Sequence, residues 1–275
     1  MEKHFAVIGD PVDHSLSPLM HSAAFRAAGI NAEYLRFRVA PEDLAKAVNG
    51  LCALCFAGFN VTIPHKEKII PFLDELTPEA LRAGAVNAVK IQDGRKIGHN
   101  VDGLGFIRSL QEKDNKFNDL RGTKAVIIGA GGAAKGIAVS LAASGAQICI
   151  MNRTHEKALL LAEHVRLTGG VADVYAFKPG DWLKDADLII QATSAGLFGE
   201  DFPFSLRGID PNILVADVIF NPKETAFLRQ ARELGCRTMN GSGMLIHQGA
   251  CAWKFWMDIE APVKAMEEAL QDYLF

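Results

Sequence analysis

A lysine and several polar side chains are spaced in the first hundred residues as a catalytic site requires. Residues 60–66 read Asn-Val-Thr-Ile-Pro-His-Lys, an alternation that predicts a strand running into a turn. The alternation places Asn60 and Thr62 on one face of the strand, with Lys66 beyond its carboxyl end. An ammonium group there can donate a proton or stabilise negative charge that develops on an oxygen.

Hydroxyl, amide and carboxylate groups stand at the ends of neighbouring elements. Ser15 and Ser17 precede a helix with Pro18 in its first turn, which suits a helix cap and equally a site for a small carboxylate. Asn87 and Asp102 come at later element ends. Each of these residues has an ordinary structural alternative, such as a turn asparagine or a helix-capping aspartate. Their common placement at element ends favours a shared site.

A glycine-rich turn in the second half of the chain predicts a dinucleotide site. Residues 124–134 read Lys-Ala-Val-Ile-Ile-Gly-Ala-Gly-Gly-Ala-Ala, a buried strand followed by a turn and a helix. Gly129, Gly131 and Ala134 match the G-x-G-x-x-G/A pattern, which allows a tight turn, admits a pyrophosphate and packs the helix on the strand. The helix start offers free N–H groups to the phosphates. The turn residues predicted to contact the cofactor are Gly129, Ala130, Gly131, Gly132 and Ala133.

The residues after the next strand indicate which dinucleotide binds. In NAD-binding versions of the motif, a carboxylate about 20 residues on accepts a hydrogen bond from the ribose 2′-OH. Here the strand over 147–151 ends in Asn152, Arg153 and Thr154, with Lys157 one turn later. Arg153 has the planar fork that suits a 2′-phosphate, and its alternative role is a solvated surface charge. We therefore expect NADP rather than NAD.

Five further positions complete the predicted cofactor-binding set. Thr193 and Ser194 end another strand, at the sheet edge where cofactors lie in α/β folds. They serve equally well as turn residues that bond to their own backbone. The remaining predicted cofactor contacts are Val218, Gly241 and Met244.

Short apolar runs alternate with longer helical patterns along the whole chain, which indicates an α/β protein. Pro18, Pro41 and Pro78 suit the first turns of helices. A polar stretch between a strand ending near Asn100 and the strand opening at Lys124 predicts a domain boundary. Besides the strand ending near Asn100, nine strands are predicted, near residues 4–8, 33–39, 57–62, 86–91, 124–129, 147–151, 187–192, 213–218 and 236–239.

Composition excludes several classes of protein. The 275 residues include 29 Lys plus Arg and 32 Asp plus Glu, a net charge of −3, which argues against nucleic acid or an anionic membrane as the main partner. No apolar run reaches the roughly 18–20 residues of a membrane-spanning helix, and the first apolar stretch is too short for a secretory signal. We therefore expect a cytoplasmic protein.

The histidines and cysteines predict neither a metal site nor a disulfide framework. The eight histidines do not cluster at ligand spacing, so we expect no metal. The five cysteines are an odd number, spread along the chain. Cys52 and Cys55 form a C-x-x-C pair within an apolar stretch, and we expect both thiols to be buried. His65 stands beside Lys66 and is expected to be a solvent-facing turn residue, with electrostatic tuning of the site as its alternative role.

Seven motifs in this order resemble the shikimate dehydrogenase family, and the resemblance covers residues 4–270. They are Ser15-Leu-Ser-Pro18, Gly58-Phe-Asn-Val-Thr-Ile-Pro-His-Lys66, Gly84-Ala-Val-Asn87, Asn100-Val-Asp-Gly103, Gly129-Ala-Gly-Gly-Ala133, Asn152-Arg-Thr154 and Gly243-Met-Leu-Ile-His-Gln248. The resemblance implies an enzyme that interconverts 3-dehydroshikimate and shikimate with NADP(H), in aromatic amino acid biosynthesis.

The resemblance also implies a two-domain fold and a role for each polar residue. The implied domains are a substrate-binding and catalytic α/β domain with a mainly parallel sheet (1–102), a Rossmann-like NADP domain (103–242) and C-terminal helices that return to the first domain (243–275). Lys66 and Asp102 resemble the catalytic pair. Ser15 and Ser17 resemble hydroxyl donors to the substrate carboxylate. The residues that resemble ligands of the ring hydroxyls are Asn60, Thr62, Asn87 and Gln248.

Some positions depart from the family pattern and leave alternatives open. Family members often read Asp-x-x-Tyr-x-Pro where this chain has Asp217-Val-Ile-Phe220-Asn-Pro222, so a tyrosine hydroxyl commonly near the substrate carboxylate is absent. Ala88 and Val101 stand where threonine is common, and Asn240 where aspartate is common.

Quinate and aminoshikimate are the alternative substrates, and a catalytically silent NADPH sensor is the non-enzyme alternative. A tetrahydrofolate dehydrogenase shares the two-domain plan, but the paired serines do not suit a bulky pterin. The expected assembly is a monomer or homodimer.

Overall fold

The computed structural model describes residues 2–274 as two compact units. One unit comprises the chain up to Gly105 together with Ile246–Tyr273, and the other comprises Phe106–Leu245 with Leu274. The C-terminal helices therefore belong mainly to the first unit. Within residues 2–274, no helix is long and apolar enough to span a bilayer.

The first unit is built on a six-stranded mixed sheet. Its order is β2-β1-β3-β5-β6-β4, with three parallel and two antiparallel pairings. Its elements are β1 (Lys3–Gly9), α1 (Ser17–Ala27), β2 (Ala32–Arg38), α2 (Leu44–Ala53), β3 (Gly58–Val61), β4 (Glu75–Leu76), α3 (Pro78–Ala83), β5 (Ala88–Gln92) and β6 (Arg95–His99). Helix α4 (Asp102–Lys113) carries the chain into the second unit.

The second unit has a six-stranded sheet in which every pairing is parallel. Its elements are β7 (Lys124–Ile128), α5 (Gly132–Ala143), β8 (Gln147–Met151), α6 (His155–Leu167), β9 (Val171–Val174), α7 (Trp182–Asp185), β10 (Leu188–Gln191), β11 (Leu214–Asp217), α8 (Ala226–Glu233) and β12 (Arg237–Met239). The order β9-β8-β7-β10-β11-β12 is the 3-2-1-4-5-6 order of the Rossmann fold. Helices α9 (Ser242–Met257) and α10 (Val263–Leu274) end the chain.

The predicted α/β class is confirmed, and two strands were missed. All nine ranges predicted as strands contain a strand, and the strand ending near Asn100 is β6. The missed strands, β4 and β9, lie at the edges of their sheets and have two and four residues. Such short edge strands pair on one side only, so they lack the apolar run that marks a central strand.

Two predictions about burial are wrong. Cys55 is exposed and Cys52 only partly buried, because the C-x-x-C pair falls where α2 ends at the surface. His65 is fully buried rather than solvent-facing, with its Nε2 atom 2.7 Å from the carbonyl oxygen of Val39. That bond satisfies one ring nitrogen inside the unit and fixes the turn that carries Lys66.

Candidate active site

Lys66 and Asp102 form a close, largely buried ion pair in the first unit. Lys66 lies in the turn after β3, and Asp102 is the first residue of α4. The Nζ atom of Lys66 lies 2.5 Å from Oδ2 of Asp102. Their side chains are 17% and 6% exposed. A lysine ammonium carries three protons, so one binds Asp102 and two are left for a ligand.

Backbone and amide contacts hold both members of the pair in place. The carbonyl oxygen of Lys66 accepts a 2.7 Å hydrogen bond from Val86 N–H. The N–H of Asp102 donates to Oδ1 of Asn100 at 3.1 Å, and Nδ2 of Asn100 donates to the carbonyl of Ala85 at 3.0 Å. Residues 85–86 thus anchor the lysine turn and the start of α4 together, which fixes the ammonium and the carboxylate before any ligand binds.

Asn87 lies beside this pair, and the oxygen of its side-chain amide is already hydrogen-bonded within the unit. Its Oδ1 accepts a 2.8 Å hydrogen bond from Val101 N–H, next to Asp102. That bond turns Nδ2 away from the backbone, and Nδ2 makes no hydrogen bond within residues 2–274. An amide N–H held in this way suits a hydroxyl group on a ligand.

Asn60 is also buried, but both ends of its amide are bonded inside the unit. Its Oδ1 accepts a 2.6 Å hydrogen bond from the Tyr34 hydroxyl, and its Nδ2 donates to the carbonyl of Asn87 at 2.9 Å. One Nδ2 proton is left over. Contact between Asn60 and a ring hydroxyl stays a prediction.

The remaining predicted substrate ligands lie in the same unit. Thr62 is half-buried, and a Cβ atom at Gly9 would lie only 2.3 Å from its Cγ2, so glycine at position 9 leaves the room that Thr62 needs. Ser15 Oγ accepts from Ser17 N–H, the first residue of α1, at 3.3 Å. This bond satisfies one N–H at the start of the helix, although the N-cap position itself is Leu16 and has no side-chain capping hydrogen bond. Gln248 is half-buried on α9.

Gly105 brings α4 into close contact with α9 at Gln248. A Cβ atom at Gly105 would lie 2.5 Å from the backbone N and 2.8 Å from Cα of Gln248. Backbone atoms in a helix cannot rotate away as a side chain can. Glycine at this position is therefore what allows α9 to bring Gln248 close to the start of α4.

We expect Gly105→Ala to destabilise the protein by about 1–3 kcal/mol, the usual effect of overpacking. The measurement is urea unfolding followed by circular dichroism. Gly50→Ala is the matched control, because Gly50 also lies within a helix but nothing surrounds its Cβ position within 4 Å. The control should stabilise by about 0.4–1 kcal/mol. Equal effects at the two glycines would contradict the close helix contact.

The glycine-rich turn of the second unit has the geometry that a pyrophosphate needs. Gly129 follows β7 with φ +128°, and a Cβ atom there would lie 2.7 Å from the carbonyl oxygen of Ala192. Gly131 precedes α5, and nothing lies within 4 Å of its Cβ position. The turn therefore combines close strand packing with open space at a helix N-terminus. Both features fit a bound dinucleotide at the switch point between β7 and β10.

The segment after β8 presents basic and hydroxyl groups to solvent. Arg153, Thr154 and Lys157 are exposed, and the guanidinium of Arg153 has no ion-pair partner within residues 2–274. Nδ2 of Asn152 donates to the carbonyl of Thr154 at 2.8 Å, which holds the turn. No carboxylate follows β8 where NAD-binding versions of the fold carry one, so the site fits a 2′-phosphate.

Thr193 acts as a turn residue, the structural alternative for this position. Its N–H and its hydroxyl both donate to Oε1 of Gln191, at 2.5 and 2.6 Å. Its Oγ1 accepts from Ala195 N–H at 3.1 Å. Ser194 is exposed. A cofactor contact by either residue stays a prediction.

The last three predicted cofactor contacts lie near the ends of β11 and β12. A Cβ atom at Gly241 would lie 2.0 Å from the carbonyl oxygen of Val218, so only glycine fits there. Gly241 N–H donates to the carbonyl of Ile219 at 2.9 Å. Met244 follows in the first turn of α9 and is nearly buried. These contacts tie the loops at one end of the sheet together.

Asp217, the first residue of the Asp217–Pro222 motif, organises the same loops. It is fully buried at the end of β11, where Oδ1 accepts from Ile219 N–H at 2.9 Å and Oδ2 accepts from the Thr225 hydroxyl at 2.7 Å. Gln191 lies opposite it in the sheet register. Burial raises the pKa of Asp217 to about 6, although the hydrogen bonds from Ile219 and Thr225 oppose the shift.

This raised pKa predicts how stability changes with pH. Because the folded protein holds the proton more tightly than the unfolded chain, the contribution of Asp217 is complete below about pH 4 and is lost as the pH rises through 6. Relative to Asp217→Asn, the wild type should therefore lose on the order of 2–3 kcal/mol of unfolding free energy between pH 4 and 7. Urea unfolding across this range measures the difference.

Asp201→Asn, at an exposed aspartate of the same unit, is the control and should leave the pH dependence of the wild type unchanged. A constant difference between Asp217→Asn and the wild type from pH 4 to 7 would contradict the raised pKa.

Within residues 2–274, no group of three or more histidine, cysteine or acidic side chains is arranged to hold a metal ion. Sequence reasoning missed Tyr34 and Gln191 altogether, and it missed the anchoring roles of Asn100 and Asp217, which it had quoted only as parts of motifs. Their roles depend on contacts between segments far apart in sequence, which spacing along the chain does not show.

The Rossmann sheet with an exposed arginine after its second strand fits a dinucleotide that carries a 2′-phosphate, and the buried lysine–aspartate pair fits proton transfer to a substrate oxygen. Family models match three segments. They are "Shikimate dehydrogenase substrate binding domain" at residues 7–89, "Shikimate / quinate 5-dehydrogenase" at 111–198 and "Shikimate 5'-dehydrogenase C-terminal domain" at 241–271. The chain belongs to the shikimate dehydrogenase family, so the resemblance seen in the motifs is confirmed.

Individual relatives agree with this assignment. The chain is 57% identical to the NADP(+) shikimate dehydrogenase of Desulfitobacterium hafniense, over 100% of this chain and 99% of the relative. A crystal structure of a shikimate dehydrogenase in complex with NADP+ superposes with a TM-score of 0.92 at 39% identity, covering 100% of this chain and 96% of the other. The ligand-free 5-ketofructose reductase of a Gluconobacter strain gives a TM-score of 0.89 at 35% identity, covering 99% of each chain.

Proposed function

We propose that this chain reduces 3-dehydroshikimate to shikimate with NADPH, and catalyses the reverse reaction with NADP+. Family membership and the 57% identical NADP(+) shikimate dehydrogenase support this activity. The single observation that carries the mechanism is the Lys66–Asp102 pair, joined at 2.5 Å and largely shielded from water. The first unit is the substrate-binding unit and the second is the NADP-binding unit.

Lys66 acts on the oxygen of the substrate ketone. When bound, NADPH supplies a hydride to the C3 carbonyl carbon, and the electron pair of the C=O π bond moves to the oxygen. Lys66 stabilises the resulting negative charge and donates a proton from Nζ, which leaves a neutral amine and a C3 hydroxyl. Solvent then returns the proton to the amine, so one hydride and one proton are added in all.

Asp102 orients the ammonium and accepts a hydrogen bond from a neighbouring ring hydroxyl. Its Oδ2 is occupied by Lys66, so Oδ1 is the acceptor available to the substrate. Asn87 donates from Nδ2 to a second hydroxyl, while its Oδ1 stays on Val101. Thr62, Asn60 and Gln248 contact the remaining hydroxyls.

The two serines receive the substrate carboxylate near the start of α1. Ser15 and Ser17 donate their hydroxyl protons to its oxygens, and the positive end of the helix dipole favours the negative charge. Phe220, where relatives often have tyrosine, supplies no hydroxyl. We expect shikimate to remain the preferred substrate because the 57% identical relative is an NADP(+) shikimate dehydrogenase. A cytoplasmic location and a monomeric or homodimeric state are the further parts of this proposal.

Steady-state kinetics test the proposed function. Shikimate and quinate are each supplied with NADP+ and with NAD+, and reduced cofactor is followed at 340 nm. The expected result is the highest kcat/KM for shikimate with NADP+. A higher value for quinate would reassign the substrate. Binding of NADPH without turnover of either acid would support the sensor instead, and turnover of 5-ketofructose alone would place the chain with the ketofructose reductases.

A further inference from the structure

Tyr34 lies at one end of a buried hydrogen-bond chain that joins two of the proposed substrate ligands. It comes from the edge strand β2 and is almost fully buried. Its hydroxyl lies 2.6 Å from Oδ1 of Asn60, which lies on β3. The phenol therefore bonds directly to one of the proposed substrate ligands.

The direction of each hydrogen bond follows from the carbonyl at the end of the chain. The carbonyl of Asn87 only accepts, so the Asn60 atom facing it must be Nδ2. The Oδ1 atom of Asn60 then faces Tyr34, whose hydroxyl must donate. The chain runs from the Tyr34 hydroxyl through the Asn60 amide to the Asn87 carbonyl.

Aromatic packing prevents the phenol from moving out of this chain. His21 stacks on the Tyr34 ring with centroids 4.6 Å apart and planes 10° apart. Trp256 packs at 6.2 Å and is itself anchored by its Nε1 donating to the Val89 carbonyl at 2.9 Å. Burial lowers the pKa of His21 to about 3, so this imidazole is uncharged at neutral pH.

We propose that Tyr34 is a positioning residue: it fixes the amide of Asn60, so that the remaining Nδ2 proton of Asn60 is held toward a ring hydroxyl of the substrate. This inference rests on the proposed function, which places Asn60 at the substrate. Tyr34 touches neither the ketone nor the cofactor, so its effect falls on substrate affinity.

Tyr34→Phe removes only the hydroxyl and tests this role. Asn60 loses the donor that orients it, so the KM for shikimate should rise roughly tenfold, since a tenfold change in equilibrium corresponds to one lost hydrogen bond. We expect kcat to stay within threefold and the KM for NADP+ to be unchanged. Tyr273→Phe, at an exposed tyrosine of the same unit, is the matched control and should behave as wild type.

A double-mutant cycle with Asn60→Ala distinguishes positioning from a general loss of structure. Because both substitutions act on one hydrogen-bond chain, their combined effect on the shikimate KM should be at least threefold smaller than the product of the separate effects. Separate effects that multiply, or an equal loss of affinity for NADP+, would overturn the proposal.

A spectroscopic measurement on unmutated Tyr34 covers the case in which Tyr34→Phe does not fold. The chain has three tyrosines, so protein labelled with 13C at tyrosine Cζ gives three resonances, and Tyr175→Phe and Tyr273→Phe identify the Tyr34 signal by elimination. Adding shikimate should shift the Tyr34 resonance and leave that of Tyr273 in place. Turnover of shikimate by the wild type without this shift overturns the role of Tyr34 alone, whereas absence of turnover overturns the proposed function.

Discussion

Lys66→Ala is expected to lower kcat by roughly 10²–10⁴, the usual effect of losing a general acid. The substitution removes both the proton donor and the cation nearest to the ketone oxygen. The effect falls on kcat because the charge that Lys66 stabilises develops only in the transition state. Shikimate oxidation with NADP+, followed at 340 nm with both substrates saturating, measures it.

Lys68→Ala is the matched control for this prediction. Lys68 lies two residues further along the same turn and is exposed, so its removal should leave kcat within twofold of wild type. Lys66→Ala also leaves the Asp102 carboxylate buried without its partner, so the unfolding transition must be compared at the assay temperature. A folded Lys66→Ala enzyme that keeps kcat within threefold while its KM rises would make Lys66 a binding residue only.

The second unit was largely predictable from the sequence because its motifs each lie within a short stretch of the chain. The strand, turn and helix around Gly129 and Gly131 lie within eleven consecutive residues, and Arg153 follows the very next strand. Each central strand is buried on both faces and reads as a continuous apolar run. The edge strand β9, with alternating burial, lacks such a run and was missed.

In the first unit, the polar site residues could be predicted from the sequence, but the contacts between them could not. Lys66 and Asp102 are 36 residues apart, and only the fold shows that they are 2.5 Å apart. The anchoring of this pair by Asn100 and Val86, and the contact of Tyr34 with Asn60, join strands that are distant in the chain. His65 was misjudged for the same reason, because the Val39 carbonyl that makes its burial favourable lies 26 residues away.

These hydrogen bonds explain why so many of the polar site residues can be buried. Asn60, Asn87, Asn100 and Asp102 are each less than a tenth exposed, and each bonds to backbone or to another member of the site. A buried polar group is tolerated when its hydrogen bonds are made inside the protein. The same bonds hold the free N–H and oxygen atoms in fixed directions before substrate arrives, which reduces the entropy lost on binding.

Arg153→Ala is expected to lower kcat/KM for NADPH by roughly 10- to 100-fold and to change the value for NADH by less than threefold. A hydrogen bond to a charged group contributes about 1.5–3 kcal/mol, and only NADPH carries the 2′-phosphate that Arg153 would bind. The guanidinium is exposed and unpaired with any carboxylate within residues 2–274, so its removal leaves no buried charge behind. The measurement is the reduction of 3-dehydroshikimate with each cofactor at fixed ionic strength.

Arg207→Ala provides the control, because Arg207 is another exposed arginine of the same unit that lies outside the predicted cofactor-binding set. It should leave both cofactors unaffected, which separates a specific contact from a change in overall charge. Equal losses with NADPH and NADH would mean that Arg153 supports the loop and does not recognise the phosphate. No loss with either would return it to the role of a solvated surface charge, and Thr154 and Lys157 would then have to account for the preference for NADP.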